Sequence, residues 1–296
     1  MDTGGAFVTG GTGFAGRHLV AELGEGVVAP ARDELDLLDG EAVRRAIAAA
    51  GPARVFHLAA HASVGRSWEE PGAVLHENLA MTLNLLEAVR HEAPDAVVVV
   101  ASSGEVYGPP ERLPVDEAAP LRPQNPYAVS KAACDLLAGQ YADAHGLRVV
   151  CMRAFNQAGP GQSDDYVVGT ITRQVAQAEA DGSDTAVVRT GRPDLARDFT
   201  DVRDTVRAYV SAAGLPANAY NVCSGRATSV GGIVGLARRA TRVEIRHELD
   251  PARVRAHDVP EVRGSSERLA EAGGWAPSIP LEQTVADAID YWRKRL

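Results

Sequence analysis

Two stretches of the sequence carry side chains whose types and spacing could move a proton. An apolar run over 96–101 leads into Ser102 and Ser103, and Asn125-Pro-Tyr-Ala-Val-Ser-Lys131 follows later in the chain. Tyr127 and Lys131 are four residues apart, so on a helix they share one face. A phenol beside an ammonium group is a stronger acid than a free phenol, because the cation favours the phenolate. Tyr127 could therefore exchange a proton with a substrate oxygen that Ser103 also hydrogen-bonds.

A strand and a helix must hold these side chains in place. Residues 96–101 predict a buried strand, and Asn125 followed by Pro126 predicts a helix that begins there and runs to about residue 144. A tyrosine and a lysine at this spacing also occur on ordinary surface helices, and serines often cap helices. We favour the catalytic interpretation because a nucleotide-binding loop opens the chain.

That loop follows the first predicted strand, Ala6-Phe-Val-Thr9. Gly10, Gly13 and Gly16 come next, and an amphipathic helix follows them. Glycines between a strand and a helix permit a tight turn, a close backbone approach to a pyrophosphate and close helix packing. The pyrophosphate would lie at the helix N-terminus, where free amides and the helix dipole favour anions. We therefore predict a dinucleotide cofactor.

The residues after the second predicted strand bear on the choice of cofactor. Arg32 could bind the 2′-phosphate of NADP, whereas Asp33 could bind the ribose hydroxyls of NAD. We favour NADP and keep NAD as the alternative. The connection to the next strand-like piece, at 35–37, is too short for a crossover helix. Asp36 and Leu37 lie where the edge of an adenine would be met.

Length, charge and composition argue against several classes of protein. The chain has 296 residues, 45% of them hydrophobic, which suits one large α/β domain with a smaller one. A net charge of −9 argues against nonspecific binding to nucleic acid or membranes. We identify no secretion signal and no apolar run of the ~20 residues that a membrane helix needs. The three cysteines lack metal-ligand spacing, so we expect no metal site and a reducing, cytoplasmic location.

Strands and helices alternate through the first half of the sequence, which predicts an α/β fold with a Rossmann-type doubly wound parallel sheet. The glycine, proline and arginine residues between 159 and 197 predict a smaller C-terminal α/β lobe that binds an anionic substrate. We assign residues 1–157 and about 198–222 to the dinucleotide-binding domain, and about 158–197 and 223–296 to the lobe. Five prolines between 109 and 123 predict a rigid loop over the site.

The sequence also resembles a known family, the extended short-chain dehydrogenases that act on nucleotide sugars. The motifs that carry the resemblance are Thr9-Gly-Gly-Thr-Gly-Phe-Ala-Gly16, His57-Leu-Ala-Ala60, Ser102-Ser-Gly-Glu-Val-Tyr-Gly108, Pro126-Tyr-Ala-Val-Ser-Lys131 and Arg153-Ala-Phe-Asn156. Within that family, Arg197-Asp-Phe-Thr-Asp-Val-Arg-Asp204 and Asp258-Val-Pro260 are similar to the GDP-4-keto-6-deoxy-D-mannose reductases. GDP-mannose 4,6-dehydratases are close relatives of those enzymes.

The resemblance, together with the motifs themselves, implies a role for individual residues. The implied catalytic residues are Ser103, Tyr127 and Lys131. The implied cofactor contacts are Gly10, Thr12, Gly13, Phe14, Ala15, Gly16, Arg32, Asp36, Leu37, Leu58, Ala59, Ala60, Ala101, Tyr127 and Lys131. The implied substrate contacts are Val64, Ser103, Glu105, Asn156, Arg197 and Arg255.

The activity that the resemblance implies is reduction of the C4 ketone of a nucleotide-linked 4-keto-6-deoxyhexose by NADPH or NADH. The expected substrate is GDP-4-keto-6-deoxy-D-mannose and the product GDP-D-rhamnose. A 4,6-dehydratase or a 4-epimerase, which recycles its cofactor, is the alternative. Glu105 matches the dehydratase glutamate that removes the C5 proton, whereas Gly104 stands where dTDP-glucose dehydratases carry an aspartate. A non-catalytic NAD(P)-sensing protein is a third interpretation, against which the complete set of catalytic residues argues.

Two structural expectations complete the sequence-based account. Glu105 lies two residues after Ser103, so a strand-like continuation would turn both side chains to one pocket. We also expect a homodimer, because the family packs two long helices, here 77–90 and 126–144, against their copies. The apolar residues available for that contact are Leu79, Leu83, Leu86, Leu136 and Leu137.

Overall fold

The computed structural model describes residues 5–254 and 259–296, in which strands and helices alternate as the sequence predicts. The strands are β1 (Ala6–Thr9), β2 (Val27–Val28), β3 (Arg54–His57), β4 (Val97–Ser103), β5 (Arg148–Ala154), β6 (Asn156–Ala158), β7 (Thr185–Thr190), β8 (Ala196–Asp201), β9 (Ala219–Val222), β10 (Ala227–Ser229), β11 (Glu244–Leu249) and β12 (Glu261–Val262). The helices are α1 (Phe14–Leu23), α2 (Gly40–Ala50), α3 (Val64–Glu69), α4 (Pro71–Glu92), α5 (Pro126–His145), α6 (Val167–Ala180), α7 (Val202–Ala212), α8 (Val230–Ala240), α9 (Glu267–Gly273) and α10 (Leu281–Arg293).

A six-stranded parallel sheet in the order β2-β1-β3-β4-β5-β9 forms the centre of the larger part. The chain leaves β1 for β2 on one side and returns to β3 on the other. The carboxyl ends of β1 and β3 therefore diverge at a topological switch point, where open α/β sheets bind ligands. The predicted Rossmann-type fold is confirmed.

Apolar helix faces cover both sides of this sheet. On one side α1 and α7 pack around Leu19, Phe56 and Tyr209, and on the other α2, α4 and α5 pack around Ile47 and Leu85. All five side chains are fully buried. Burying a large apolar side chain contributes about 1.5–3 kcal/mol, so these layers hold the strand ends rigidly beneath the site.

A smaller α/β region follows in the second half of the chain. Strand β8 pairs with β6, β10 and β12, and β7 pairs in parallel with β11. Helices α6, α8 and α10 bury Ile171, Ile233 and Ile289 against these strands. The predicted proline-rich loop reaches this region, because Val115 exchanges backbone hydrogen bonds of 2.8 Å with Arg263 and Ser265.

Some predicted elements differ from the structure. Residues 35–37 are not a strand, because the chain from 31 to 39 is a series of turns in which Leu35 and Leu37 insert into the core beside Leu86. Within residues 5–254 and 259–296, the sheet consequently has no strand beyond β2. Helix α4 begins at Pro71 and not at residue 77, and helices α3 and α9 were not predicted.

Candidate active site

The glycine loop between β1 and α1 leaves no room for larger residues. A Cβ atom on Gly16 would lie 2.0 Å from the carbonyl oxygen of Gly10, and one on Gly10 would lie 2.7 Å from the amide nitrogen of Ala59. Gly10 also has a φ of +74°, which favours glycine. Gly13 is the N-cap of α1 and offers no side chain to its first amides. The loop thus fits the pyrophosphate of a dinucleotide at a helix N-terminus.

The other predicted cofactor residues lie along the same edge of the sheet. Leu58, Ala59 and Ala60 follow β3, and the amide of Leu58 donates to the carbonyl of Thr9 at 3.1 Å. Thr12, Phe14 and Ala15 belong to the glycine loop and the first turn of α1, and Ala101 lies near the end of β4. The role of these residues in cofactor binding stays a prediction.

The turns after β2 carry the residues that bear on the 2′-position of the ribose. Arg32 is exposed, and within the described residues its guanidinium makes no hydrogen bond or ion pair. Asp33 is exposed as well, and the carboxylate of Asp36 accepts a hydrogen bond of 2.9 Å from the amide of Leu38. Leu37 is largely buried, so only a small part of its side chain is available to contact an adenine.

The predicted catalytic helix starts as the sequence indicates. The side chain of Asn125 accepts a hydrogen bond of 2.8 Å from the amide of Ala128, and Pro126 occupies the first helical position. Lys131, one turn after Tyr127, donates a hydrogen bond of 2.7 Å from Nζ to the carbonyl oxygen of Ala101 on β4. The end of β4 also carries Ser103, so strand and helix bring the three predicted catalytic residues together.

The electrostatics of Tyr127 differ from the sequence-based expectation. Burial raises the pKa of the Tyr127 phenol above its ordinary value, and the opposing influence is a hydrogen bond with Ser103. The Lys131 ammonium group, expected to act on that phenol, donates its hydrogen bond to the carbonyl of Ala101. Burial also lowers the pKa of Lys131 itself. Tyr127 is therefore protonated at neutral pH, the state that a proton donor needs.

Glu105 lies beside this group but not on a strand. Residues Gly104–Tyr107 form a 3₁₀ turn, so the predicted strand-like continuation is wrong. The amide of Glu105 donates to Ser103 Oγ at 3.2 Å, and the amide group of Asn125 donates to the Glu105 carboxylate at 3.2 Å. The Glu105 carboxylate is exposed, and its charge raises the pKa of Tyr127, so it remains near the phenol.

The predicted substrate residues belong to several elements. Val64 is the first residue of α3, and Asn156 is the first residue of β6. Arg197 on β8 donates from its guanidinium to the carbonyls of Ala196 and Val259, both at 2.8 Å. Arg255 lies outside the described residues, as does Asp258 of the second-half motifs.

Comparison with known proteins decides the family. The model of the GDP-mannose 4,6 dehydratase family matches residues 32–288. The chain belongs to this family.

Individual relatives of the family are similar over almost the whole chain. The GDP-6-deoxy-D-mannose reductase of Pseudomonas aeruginosa is 35% identical, with 98% of this chain and 97% of that protein covered. The UDP-glucose 4-epimerase of Mycolicibacterium smegmatis is 29% identical over 97% of this chain and 98% of its own length.

Solved structures agree with the family assignment. RMD from Pseudomonas aeruginosa complexed with NADPH superposes with a TM-score of 0.89 and 33% identity, covering 99% of this chain and all of that one. A UDP-glucose 4-epimerase from Thermotoga maritima with UDP-glucose has the same TM-score of 0.89 at 28% identity, covering 98% of this chain and 99% of that one. The fold is that of the extended short-chain dehydrogenases, and the chain is an NAD(P)-dependent oxidoreductase of that kind.

Two negative findings apply to the described ranges, 5–254 and 259–296. They contain no cluster of histidine, cysteine, aspartate and glutamate that could hold a metal ion. None of their helices is both long enough and apolar enough to span a membrane.

A buried polar network around His57, which the sequence did not predict, lies beneath the site. His57 Nδ1 lies 2.8 Å from Thr9 Oγ1, and His57 Nε2 lies 3.1 Å from Thr82 Oγ1. Burial lowers the pKa of His57 to about 3, with a smaller contribution from the charge of Lys131. The neutral imidazole thus joins β1, β3 and α4. His57 opens a motif that carries the family resemblance, but nothing in the sequence indicates its contacts with Thr9 and Thr82.

Two further contacts were also missed. The Tyr166 hydroxyl, which precedes α6, reaches the carbonyl of Ala62 at 3.4 Å and raises the pKa of Tyr127. Asp135 and Arg153 form a buried ion pair behind the catalytic residues. Arg153 belongs to a motif that carries the family resemblance, but its spacing from Asp135 in the sequence gives no sign of the contact.

Proposed function

We propose that this chain is an NADPH-dependent reductase that converts the C4 ketone of a nucleotide-linked 4-keto-6-deoxyhexose into an alcohol. The substrate we propose is GDP-4-keto-6-deoxy-D-mannose and the product GDP-D-rhamnose. The observation that carries the proposal is the placement of Tyr127 and Lys131 on α5 against the end of β4, which carries Ser103, with Lys131 Nζ 2.7 Å from the carbonyl of Ala101. The similarity to a GDP-6-deoxy-D-mannose reductase supports the choice of sugar and base.

The proposed roles of the side chains follow from their placement. A bound reduced nicotinamide would supply the hydride. Tyr127 would give its proton to the ketone oxygen as that oxygen gains charge. Ser103 would donate a hydrogen bond to the same oxygen, an interaction that strengthens as the negative charge develops. Lys131 would hold the nicotinamide ribose and keep a positive charge beside the phenol.

The proposed cofactor contacts rest on the carboxyl ends of β1, β2 and β3. The glycine loop would bind the pyrophosphate, and Arg32 would bind the 2′-phosphate of NADP. The cofactor-bound structure of RMD, which contains NADPH, supports this choice. NAD remains the alternative cofactor, with Asp33 at the ribose, because related UDP-glucose 4-epimerase structures contain NAD.

The division of labour between the two parts of the chain is also a proposal. Residues 1–157 and about 198–222 would bind the dinucleotide, and about 158–197 with 223–296 would bind the nucleotide sugar. Val64, Glu105, Asn156, Arg197 and Arg255 would contact that substrate.

Association and location complete the proposed function. We expect a homodimer formed through α4 and α5, because Leu79, Leu83 and Leu136 present exposed apolar surface there. Leu86 is fully buried and Leu137 packs into the same core, so these two residues face their own sheet instead. The three buried free cysteines suit a reducing cytoplasm.

A redox-neutral 4-epimerase or 4,6-dehydratase is the second candidate. Glu105 near Tyr127 and the 4-epimerase relatives favour it. Both alternatives recycle their cofactor and therefore show no net consumption of NADPH.

The test offers the purified chain GDP-4-keto-6-deoxy-D-mannose, GDP-mannose and UDP-glucose in separate reactions with NADPH. We expect NADPH to be consumed, one molecule for each ketone reduced, with the first compound only. Consumption should be lost in Tyr127→Phe. Turnover of GDP-mannose or UDP-glucose without net consumption of NADPH would assign the chain to the second candidate. Tight cofactor binding without turnover of any of them would indicate a sensor.

A further inference from the structure

A buried ion pair lies directly behind the proposed catalytic residues. Arg153 on β5 donates to both carboxylate oxygens of Asp135 on α5, at 2.8 Å and 3.1 Å. The hydroxyl of Ser102 on β4 donates to the same carboxylate at 2.9 Å. All three residues are buried. The ion pair and Ser102 therefore connect β4, α5 and β5. Two of these elements, β4 and α5, carry the proposed catalytic side chains.

The other side of the guanidinium continues the network. Arg153 donates to the hydroxyl of Tyr107 at 3.0 Å, and that hydroxyl donates to the side chain of Asn221 at 2.7 Å. The amide group of Asn221 donates in turn to the carbonyls of Val115 and Ser265, at 3.1 Å and 3.2 Å. The 3₁₀ turn that holds Glu105 and the proline-rich loop are thus tied to the same guanidinium.

A buried ion pair needs a reason other than stability. Removing two charges from water costs as much as their attraction returns, so apolar side chains of similar volume would hold these elements at least as firmly. Directional hydrogen bonds, however, fix elements in one register, as apolar packing does not.

We propose that Asp135 and Arg153 are positioning residues that hold the end of β4 against the catalytic face of α5. The inference rests on the proposed function, since that end carries Ser103 and that face carries Tyr127 and Lys131. Neither residue of the pair touches the reacting atoms.

The pair also acts on Lys131 through its charge. Lys131 faces His57 on β3, Cys134 and Asp135 on its own helix, and the carbonyl of Ala101 on β4. His57 is neutral because burial lowers its pKa to about 3, and burial raises the thiol pKa of Cys134. Burial lowers the pKa of Lys131, whereas Cys134 and, to a smaller extent, Asp135 raise it. Because burial keeps the Cys134 thiol neutral, Asp135 is the charged member of this set.

The test measures kcat/KM for ketone reduction against pH in Asp135→Asn and Arg153→Gln. Reduction falls as pH rises through the pKa of Lys131, because the ammonium is lost. Asp135→Asn removes the negative charge and should move this fall to lower pH, by roughly half a pH unit or more. Arg153→Gln removes the positive charge that pairs with the Asp135 carboxylate, so the fall in activity should move to higher pH. General loosening of the fold would not give shifts of opposite sign.

A second readout separates positioning from substrate binding. Displacement of Ser103 should lower kcat by roughly ten- to a hundredfold, while KM for the sugar stays within about threefold. The matched control is Arg203→Gln, because Arg203 makes a similar bidentate pair with the buried Asp201, at 2.8 Å for both bonds, away from the catalytic residues. That variant should leave kcat and the pH profile unchanged.

Amide hydrogen exchange keeps the inference testable without activity. Peptides covering 102–108 and 125–135 should exchange faster in Arg153→Gln than in the wild type, and at the wild-type rate in Arg203→Gln. If the wild type does not reduce the sugar, the proposed function fails while this comparison still stands. If a single variant does not fold, the double variant Asp135→Asn/Arg153→Gln, which removes both charges of the pair, takes its place. The kcat of this double variant should also be lower than that of the wild type. Wild-type kcat, pH profile and exchange in the folded variants would overturn the inference.

Discussion

Lys131 Nζ donates a hydrogen bond of 2.7 Å to the carbonyl oxygen of Ala101, which ties α5 to β4 just before Ser102 and Ser103. A lysine that is only 7% exposed needs such a partner, because burying an unpaired ammonium is costly. Tyr127 lies one helical turn earlier on the same face. The contact therefore sets the distance between the phenol and the strand end, so packing of the helix on the sheet determines the proposed catalytic geometry.

Arg32→Ala should change the choice of cofactor. If the guanidinium binds the 2′-phosphate, KM for NADPH should rise about ten- to a hundredfold, since a hydrogen bond to a charged group is worth about 1.5–3 kcal/mol. KM for NADH should stay nearly unchanged. Arg45→Ala, at an exposed arginine of α2, controls for the loss of one positive charge. An equal rise for both cofactors in Arg32→Ala would rule the role out.

Glu105→Gln should reduce activity only modestly. Ketone reduction needs one hydride and one proton, so a second base is not required. We expect a loss within about tenfold, or ~1.4 kcal/mol, whereas Tyr127→Phe should cost roughly a hundredfold or more. Glu111→Gln, on the exposed proline-rich loop, is the control. A Glu105→Gln variant as impaired as Tyr127→Phe, in a protein that consumes GDP-mannose, would identify a dehydratase.

His57 should make the protein less stable in acid. Its pKa is about 3 when folded and 6.5 in the reference state, so the unfolded chain binds the extra proton between these values. Stability is therefore full above pH 6.5 and falls as pH is lowered towards 3. At pH 5 the loss from this residue is about 2 kcal/mol.

Urea unfolding at pH 8 and pH 5 measures this loss. The difference between the two pH values should be smaller by that amount in His57→Gln, which does not titrate. His76→Gln, at an exposed position of α4, should behave as the wild type does. The same pH dependence in His57→Gln and the wild type would contradict the prediction.

The exposed apolar residues of α4 and α5 should make the protein dimeric. Leu75, Leu79 and Leu83 recur every four residues on α4, and Val129 and Leu136 stand seven apart on α5, so each set shares one helix face. Light scattering at micromolar concentration should give twice the chain mass, and Leu136→Glu should give the chain mass. Leu249→Glu, which places the same charge on the exposed part of β11, should remain dimeric. A monomeric wild type would exclude the dimer.

Much of the fold and of the site's framework follows from the sequence because local signals carry it. The strand–glycine–helix pattern at Gly10 and the cap at Asn125 are determined by neighbouring residues, and both occur as predicted. The false strand at 35–37 shows where such signals fail. Leucines at alternate positions are typical of a strand, but Leu35 and Leu37 pack in the core beside α2 and α4. Strand β2 is therefore the edge of the sheet.

The contacts that position the catalytic residues could not be predicted in this way. Asp135 and Arg153 lie on different elements, and only the packing of α5 on β5 brings them together. The pKa of Tyr127 depends on how deeply the phenol is buried, and the Lys131 ammonium donates to the carbonyl of Ala101; spacing along one helix specifies neither. Side-chain direction and burial are properties of the assembled layers.

The most direct test of the account follows the hydride. The wild type is given GDP-4-keto-6-deoxy-D-mannose and NADPH that carries deuterium at both C4 positions of the nicotinamide, and the products are analysed by mass spectrometry and NMR. The account predicts one deuterium per product molecule, bound at C4 of the sugar, and an equal amount of NADP⁺. A converted nucleotide sugar without deuterium, formed with no net oxidation of the cofactor, would contradict it.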